Sequence, residues 1–158
     1  MIYQEAGADI RGARRQYRYS LWRIWDRSLP AVLFIGLNPS TADARRDDPT
    51  LVRCMGFARD WGFGGVYTVN LFAFRATDPE VMKRARHPVG RDNDNVILAT
   101  AARAQCLVAA WGNDGAWRGR GEAVRSMLPG LHYLKLNATG QPAHPLYLPR
   151  GLHPMAWA

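Results

Sequence analysis

"VLFIGLNPSTAD", residues 32–43, decides the fold. Val32 to Leu37 is a near-continuous apolar run, the pattern of a strand covered on both faces of a parallel sheet. It passes directly into Asn38-Pro39-Ser40. Pro39 has no N–H to give to a sheet ladder, so the strand has to end there. An amide side chain is thereby delivered to the end of a buried strand. An Asn before Pro is commonly a turn residue that satisfies its own backbone. The alternative is a group that faces a ligand.

Three further apolar runs follow, Val66 to Ala73, Cys106 to Trp111 and His132 to Leu136, separated by helical patterns. Asp48-Pro49 opens "DPTLVRCMGFARDWGFG" with a cap residue and a Pro at the first helical position, and Gly62 and Gly64 close it. "NDNVILATAARAQ", from Asn93, and "RGEAVRSMLPG", from Arg120, predict two more helices, the second stopped by Pro129-Gly130. Strands alternating with helices predict an α/β fold, a three-layer α/β/α arrangement around a central four-stranded, mainly parallel sheet. Upstream, Tyr17, Tyr19 and Leu21 alternate with Trp22 and Ile24, which predicts an N-terminal strand or hairpin. The chain is expected to be one domain over 1–158, with residues 1–14 loosely ordered.

With 47% hydrophobic residues in a chain of 158, the protein can bury a full core and is not a disordered tail. Its formal charge is +8, from 21 Lys plus Arg that are mostly Arg. Such a surplus fits either a polyanionic partner or a merely basic soluble protein, and the Arg bias favours phosphate contact. Cys54 and Cys106 are too few for a zinc or iron–sulfur site and are expected to be reduced core residues. Asp43, Asp47 and Asp48 cluster, but no His or Cys stands at ligand spacing for a metal, and Asp47 and Asp48 are expected to serve the helix start. "GFGG" lacks the Lys and Ser or Thr of a phosphate loop. No metal or other cofactor is expected. Without an apolar leader or a membrane-length run, a cytoplasmic monomer with no membrane partner is expected.

In open α/β sheets, ligands bind beyond the carboxyl ends of the strands. The four expected strands end in Asn38, in Asn70 of "VNLFAFRATDP", in "WGNDG" (111–115) and in "LNATGQPAHPLYLPRG", which carries His144. Two Asn side chains supply the paired donors and acceptors that match a nucleobase edge, and a His donates to a leaving anion. His87-Pro88 and His153-Pro154 repeat the dipeptide, so His-Pro alone carries little weight.

Together and in this order, "FIGLNPS", "VYTVNLFAFRATDP" and "AHPLYLPRG" resemble the motifs of the uracil-DNA glycosylase superfamily. The first is closest to the Gly-aliphatic-Asn-Pro form of the mismatch-specific and thymine-DNA glycosylases. The likeness extends from about Leu33 to Arg150. "GLNPSTAD…DDPT" also resembles a widespread bacterial family of unknown function, within or beside that superfamily. The resemblance implies hydrolysis of the N-glycosidic bond of a base flipped out of DNA. Asn38 would position the attacking water and His144 would stabilise the departing base. Asn70 would read the base edge, with Leu37, Ser40 and an aromatic, Phe57 or Trp61, around the base. Leu148 would be the wedge in the vacated stack, while Arg150 and Arg75 would hold the DNA backbone.

Several positions depart from that pattern. Asn38 brings no carboxylate, and an amide is no general base, which predicts slow chemistry. Ser40 replaces the Tyr that blocks bulk at pyrimidine C5 in the strictly uracil-specific branch, which predicts a tolerant pocket. Leu146 replaces the Ser that follows His-Pro in many members, and the short stretch beyond Leu148 is expected to brace the wedge loop poorly. No Lys occupies a motif position, so no Schiff-base step is expected. The alternatives are a nucleobase or nucleic-acid binding module that has lost hydrolysis, and a hydrolase of free nucleosides or nucleotides.

Overall fold

Val32 to Gly36 lies in the middle strand of a seven-stranded sheet. The computed structural model describes residues 3–158. Its strands are β1 (Glu5–Arg11), β2 (Tyr17–Ile24), β3 (Ala31–Gly36), β4 (Gly65–Asn70), β5 (Cys106–Ala109), β6 (Leu131–Tyr133) and β7 (Met155–Ala156). They lie in the order β1-β2-β4-β3-β5-β6-β7. The helices are α1 (Pro49–Asp60), α2 (Pro79–Lys83), α3 (Asn93–Ala101) and α4 (Arg120–Met127), with 3-10 segments at Asn113–Gly119 and Pro145–Tyr147.

The period of two in β3 splits the core into two layers. Val32 and Phe34 pack with Leu51, Cys54, Met55 and Ala58 of α1. Leu33 and Ile35 face the other way, onto Ile97 of α3 and Val124 of α4. Burying each such side chain is worth roughly 1.5–3 kcal/mol, which is why the run stays apolar throughout. The α1 start is as the sequence predicts: Asp48 is the N-cap, its carboxylate accepts from Leu51 N–H at 2.9 Å, and Pro49 follows. Both cysteines are free, Cys54 buried and Cys106 partly so. Among the described residues, no helix is long and apolar enough to cross a membrane.

The α/β class holds, but the sheet is larger than four strands and mixed. The four expected strands form its parallel inner block, β4-β3-β5-β6. An antiparallel hairpin, β1 and β2, extends one edge, and β7 pairs antiparallel with β6 at the other. Residues 1–14 are therefore not loosely ordered as a block: β1 occupies Glu5–Arg11, while residues 1–2 lie outside those described. "EAGADIR" has no apolar run to announce a strand. It is held by its ladder to β2, in which Trp22 lies over Gly7, where a Cβ would come within 2.4 Å of the indole. The last residues brace the loop before them rather than leaving it loose. Trp61 Nε1 donates to the Leu152 carbonyl at 2.9 Å, and Trp157 packs on Trp111.

A β-bulge in the hairpin decides where two arginines point. Asp9 pairs with Ser20 and Ile10 with Arg18, which leaves Tyr19 without a partner. The extra residue turns Arg18 onto the face that carries Leu21 and Arg23, instead of the opposite one. Arg18 Nη1 accordingly donates to the Ala42 carbonyl at 2.9 Å, and Arg23 Nη2 to the Asp43 carbonyl at 2.5 Å. Arg23 is 1% exposed and pairs with Asp47 at 2.9 Å. Asp47 is thus the partner of a buried guanidinium, while the helix start is served by Asp48. These bonds fix the loop between β3 and α1.

The end of β4 is fixed from the other face. Asn93, 0% exposed, donates from Nδ2 to the carbonyls of Asn70 at 2.9 Å and Leu71 at 3.0 Å. Asn93→Ala removes both bonds, leaving Leu71 to the Arg120 guanidinium alone, and is expected to cost about 1–3 kcal/mol in urea denaturation. An unchanged midpoint would show that this bracket contributes nothing.

Candidate functional site

Beyond the carboxyl ends of β3, β4 and β5 lies a cavity of about 740 Å³. Its sheet side is a row set by register, in which Leu21 of β2 stands beside Thr68 of β4 and Thr68 beside Phe34 of β3. Two rungs further, Gly36 stands opposite Asn70. A Cβ on residue 36 would lie 2.7 Å from Asn70 Oδ1, so only glycine leaves the amide its place. Asn70 is 6% exposed, and its Nδ2 has no hydrogen-bond partner among the described residues.

Asn38 follows at the strand end. Its Nδ2 donates to the Ala76 carbonyl at 2.7 Å, tying the first motif to the loop after β4. Among the described residues nothing donates to its Oδ1, which is left to accept from a ligand or water. Ala76 N–H donates back to the Pro39 carbonyl at 2.9 Å. The amide is therefore half anchor and half free acceptor.

His144 caps the 3-10 segment Pro145–Tyr147, and its Nδ1 accepts from Leu146 N–H at 3.2 Å. The neutral ring then carries its proton on Nε2 and is a donor there. Gly112 N–H donates to the Pro142 carbonyl at 2.8 Å, which seats this loop against the end of β5. Burial holds the imidazole below its ordinary value of 6.5, with the Asp48 charge pulling weakly the other way. Because the folded value is depressed, the resulting stability is complete above about 6.5 and fades as pH falls through the folded value.

The structure brings Asn38, Asn70, His144, Leu37 and Ser40 together around this one cavity. It does not bring Phe57 there. That ring is 3% exposed, stacked on Trp61 at 5.5 Å beneath α1, and neither aromatic lines the cavity. Leu148 does not stand out as a wedge would. It is 7% exposed in the core beside α1, and its carbonyl accepts from Arg53. The side chain presented at that rim is Tyr147, 89% exposed. Arg150 is exposed in the same loop. Arg75 lies outside the cavity and donates from Nη1 to the Arg15 carbonyl at 3.2 Å.

Three groups in the cavity wall were not singled out from the sequence: Arg18, Thr68 and Asp114. Arg18 had one visible signal, a charge set between two tyrosines in a strand. Burial pulls its guanidinium down to about 10, still protonated at neutral pH. Asp48, known from the sequence as a cap, also lines the cavity. Both acids are engaged: Asp48 accepts from Leu51 and Ala42 N–H, and Asp114 from Lys83 at 3.1 Å. Cys54 reaches the wall too, but burial pushes its thiol up, so no thiolate nucleophile stands there.

Fold and cavity define an α/β protein whose ligand-sized hollow lies where such sheets bind their ligands. Residues 18–146 match the family described as "Protein of unknown function (DUF1643)", and the chain belongs to that family. No curated protein and no solved structure matches it. The depressed His144 is directly testable: in a proton NMR titration its ring should show a midpoint below 6.5. A midpoint at or above that value would mean that the loop does not bury the ring.

Proposed function

We propose that this protein is a monofunctional DNA glycosylase-like enzyme that hydrolyses the N-glycosidic bond of an altered base flipped into the cavity. The observation that carries this reading is the convergence of Asn38, Asn70 and His144 on one hollow at the ends of the parallel strands. Three segments distant in sequence supply them, and each offers the atom the chemistry needs. Asn38 Oδ1 holds a water for attack on the sugar carbon. Asn70 hydrogen-bonds the base edge. His144 Nε2–H donates a hydrogen bond to the base as it departs with the glycosidic electron pair, and water supplies the oxygen of the new bond, its proton ending on the released base.

No unengaged carboxylate lines the cavity among the described residues, so the water is positioned but not deprotonated in advance. Turnover is accordingly slow and depends on how well the base leaves. Tyr147, not Leu148, fills the gap in the stack, since an aromatic face serves any base sequence. Arg150 and the surplus positive charge hold phosphates. The engaged states of Asp48 and Asp114 also favour a second reading, a nucleobase-binding module without hydrolysis.

A panel of oligonucleotides, each with one altered base, assayed for abasic sites in single turnover, separates the two. For the base that is released, Asn38→Ala and His144→Ala are each expected to slow release about 10²-fold or more. Release that does not depend on His144 overturns the mechanism. Binding of the oligonucleotides without any abasic sites supports the second reading.

A further inference from the structure

Arg18 is a buried cation that spends only one of its guanidinium nitrogens on the folded chain. Its Nη1 is held by the Ala42 carbonyl at 2.9 Å, and among the described residues nothing accepts from Nε or Nη2, the two donors of one edge. Thr68 Oγ1 and Asn70 Nδ2, two residues apart on the same face of β4, are likewise buried without partners. All three residues line the same cavity. Leaving one such group unpaired is costly, and three around a single hollow mark the place of an acceptor that the folded chain does not provide.

The geometry points to a 6-oxopurine as the base held here, its adjacent O6 and N7 received by the Nε edge of Arg18 with Asn70 and Thr68 beside it. This rests on the reading of the cavity as a nucleobase site and goes beyond it to the class of base. A guanidinium edge matches two neighbouring acceptors, and O6 with N7 is the pair that 6-oxopurines present. Adenine offers an amino donor at the corresponding position and would face donors with a donor. Leu21, Phe34 and Leu51 give the cavity apolar surface for a flat ring. A full anion is disfavoured, because the Asp48 carboxylate lines the same cavity and partly offsets the Arg18 charge. Ser40 adds only a small side chain to the cavity wall.

The test measures equilibrium binding of free hypoxanthine, adenine and inorganic phosphate to the full chain by calorimetry, independently of any cleavage. Hypoxanthine is expected to bind about 10- to 100-fold more tightly than adenine, the discrimination one bidentate pair supplies. Arg18→Met, an uncharged chain of similar length, should remove that preference. Thr68→Val, which keeps the strand's β-branched shape, should reduce it several-fold and stands in should the first variant not fold. Equal binding of the two purines overturns the inference while leaving the nucleobase site standing. Phosphate that displaces hypoxanthine in an Arg18-dependent way overturns it in favour of an anion site. Failure of every base to bind overturns it together with the reading it rests on. A hypoxanthine preference without base release from DNA supports it and removes only the excision chemistry.

Discussion

At the last rung of the parallel ladder, Gly36 faces Asn70, and a Cβ on residue 36 would fall 2.7 Å from the Asn70 amide oxygen. The shape of the cavity depends on that vacancy. With any larger residue at 36, the amide would have to turn away or the two strands would have to part, and interiors this closely packed yield little. Leu37 and Asn38 follow immediately beyond the same rung, so the glycine that makes room for the Asn70 amide also leads into Asn38. Asn93 holds the opposite side of the rung by binding the carbonyls of Asn70 and Leu71. The amide of Asn70 is thus fixed through its backbone and left unpaired at its side chain, an arrangement that costs stability and is retained where a ligand completes it.

The loop between β3 and α1 is stiff for a different reason. Arg18 and Arg23 reach it from the same strand and donate to its backbone carbonyls, while Asp48 receives its Ala42 N–H at 3.3 Å. Charged groups buried this deeply need partners, and here the partners are largely backbone dipoles rather than opposing charges. The loop therefore carries Ser40 and the cavity wall without regular secondary structure of its own. It also consumes the hydrogen-bonding capacity of Asp48, the carboxylate that the cap delivers to the cavity.

The inner parallel block was legible in the sequence because local signals mark it: uninterrupted apolar runs, a Pro at the end of one, an Asp-Pro cap on the next helix. Asn38, Asn70 and His144 were legible for the same reason, since each follows an element whose end can be read from its neighbours. What escaped depends on contacts between distant segments. β1 is a strand through its ladder to β2, where Trp22 covers its glycine, and β7 is two residues supported by β6. The bulge that turns Arg18 is invisible in an alternating pattern, which assigns that residue to the opposite face. The family resemblance also assigned the rim to Leu148. Spacing from His144 cannot tell Leu148 from Tyr147, whereas the turn of the 3-10 segment buries one and exposes the other.

On the proposed reading, these constraints shift the burden of catalysis from nucleophile to leaving group. Asn38 has only its carbonyl oxygen to offer, because its amino group is bound to Ala76. Asp48 and Asp114 are already engaged, so neither stands free to take a proton from water. Donors, by contrast, are abundant: His144 with its proton on Nε2, Asn70 Nδ2 and the unused edge of Arg18. A site rich in donors and poor in free acceptors stabilises negative charge that develops on the base more than it activates water. The departure of the base would then lead and water capture follow, and differences among bases in their ability to carry that charge would govern which of them the site releases.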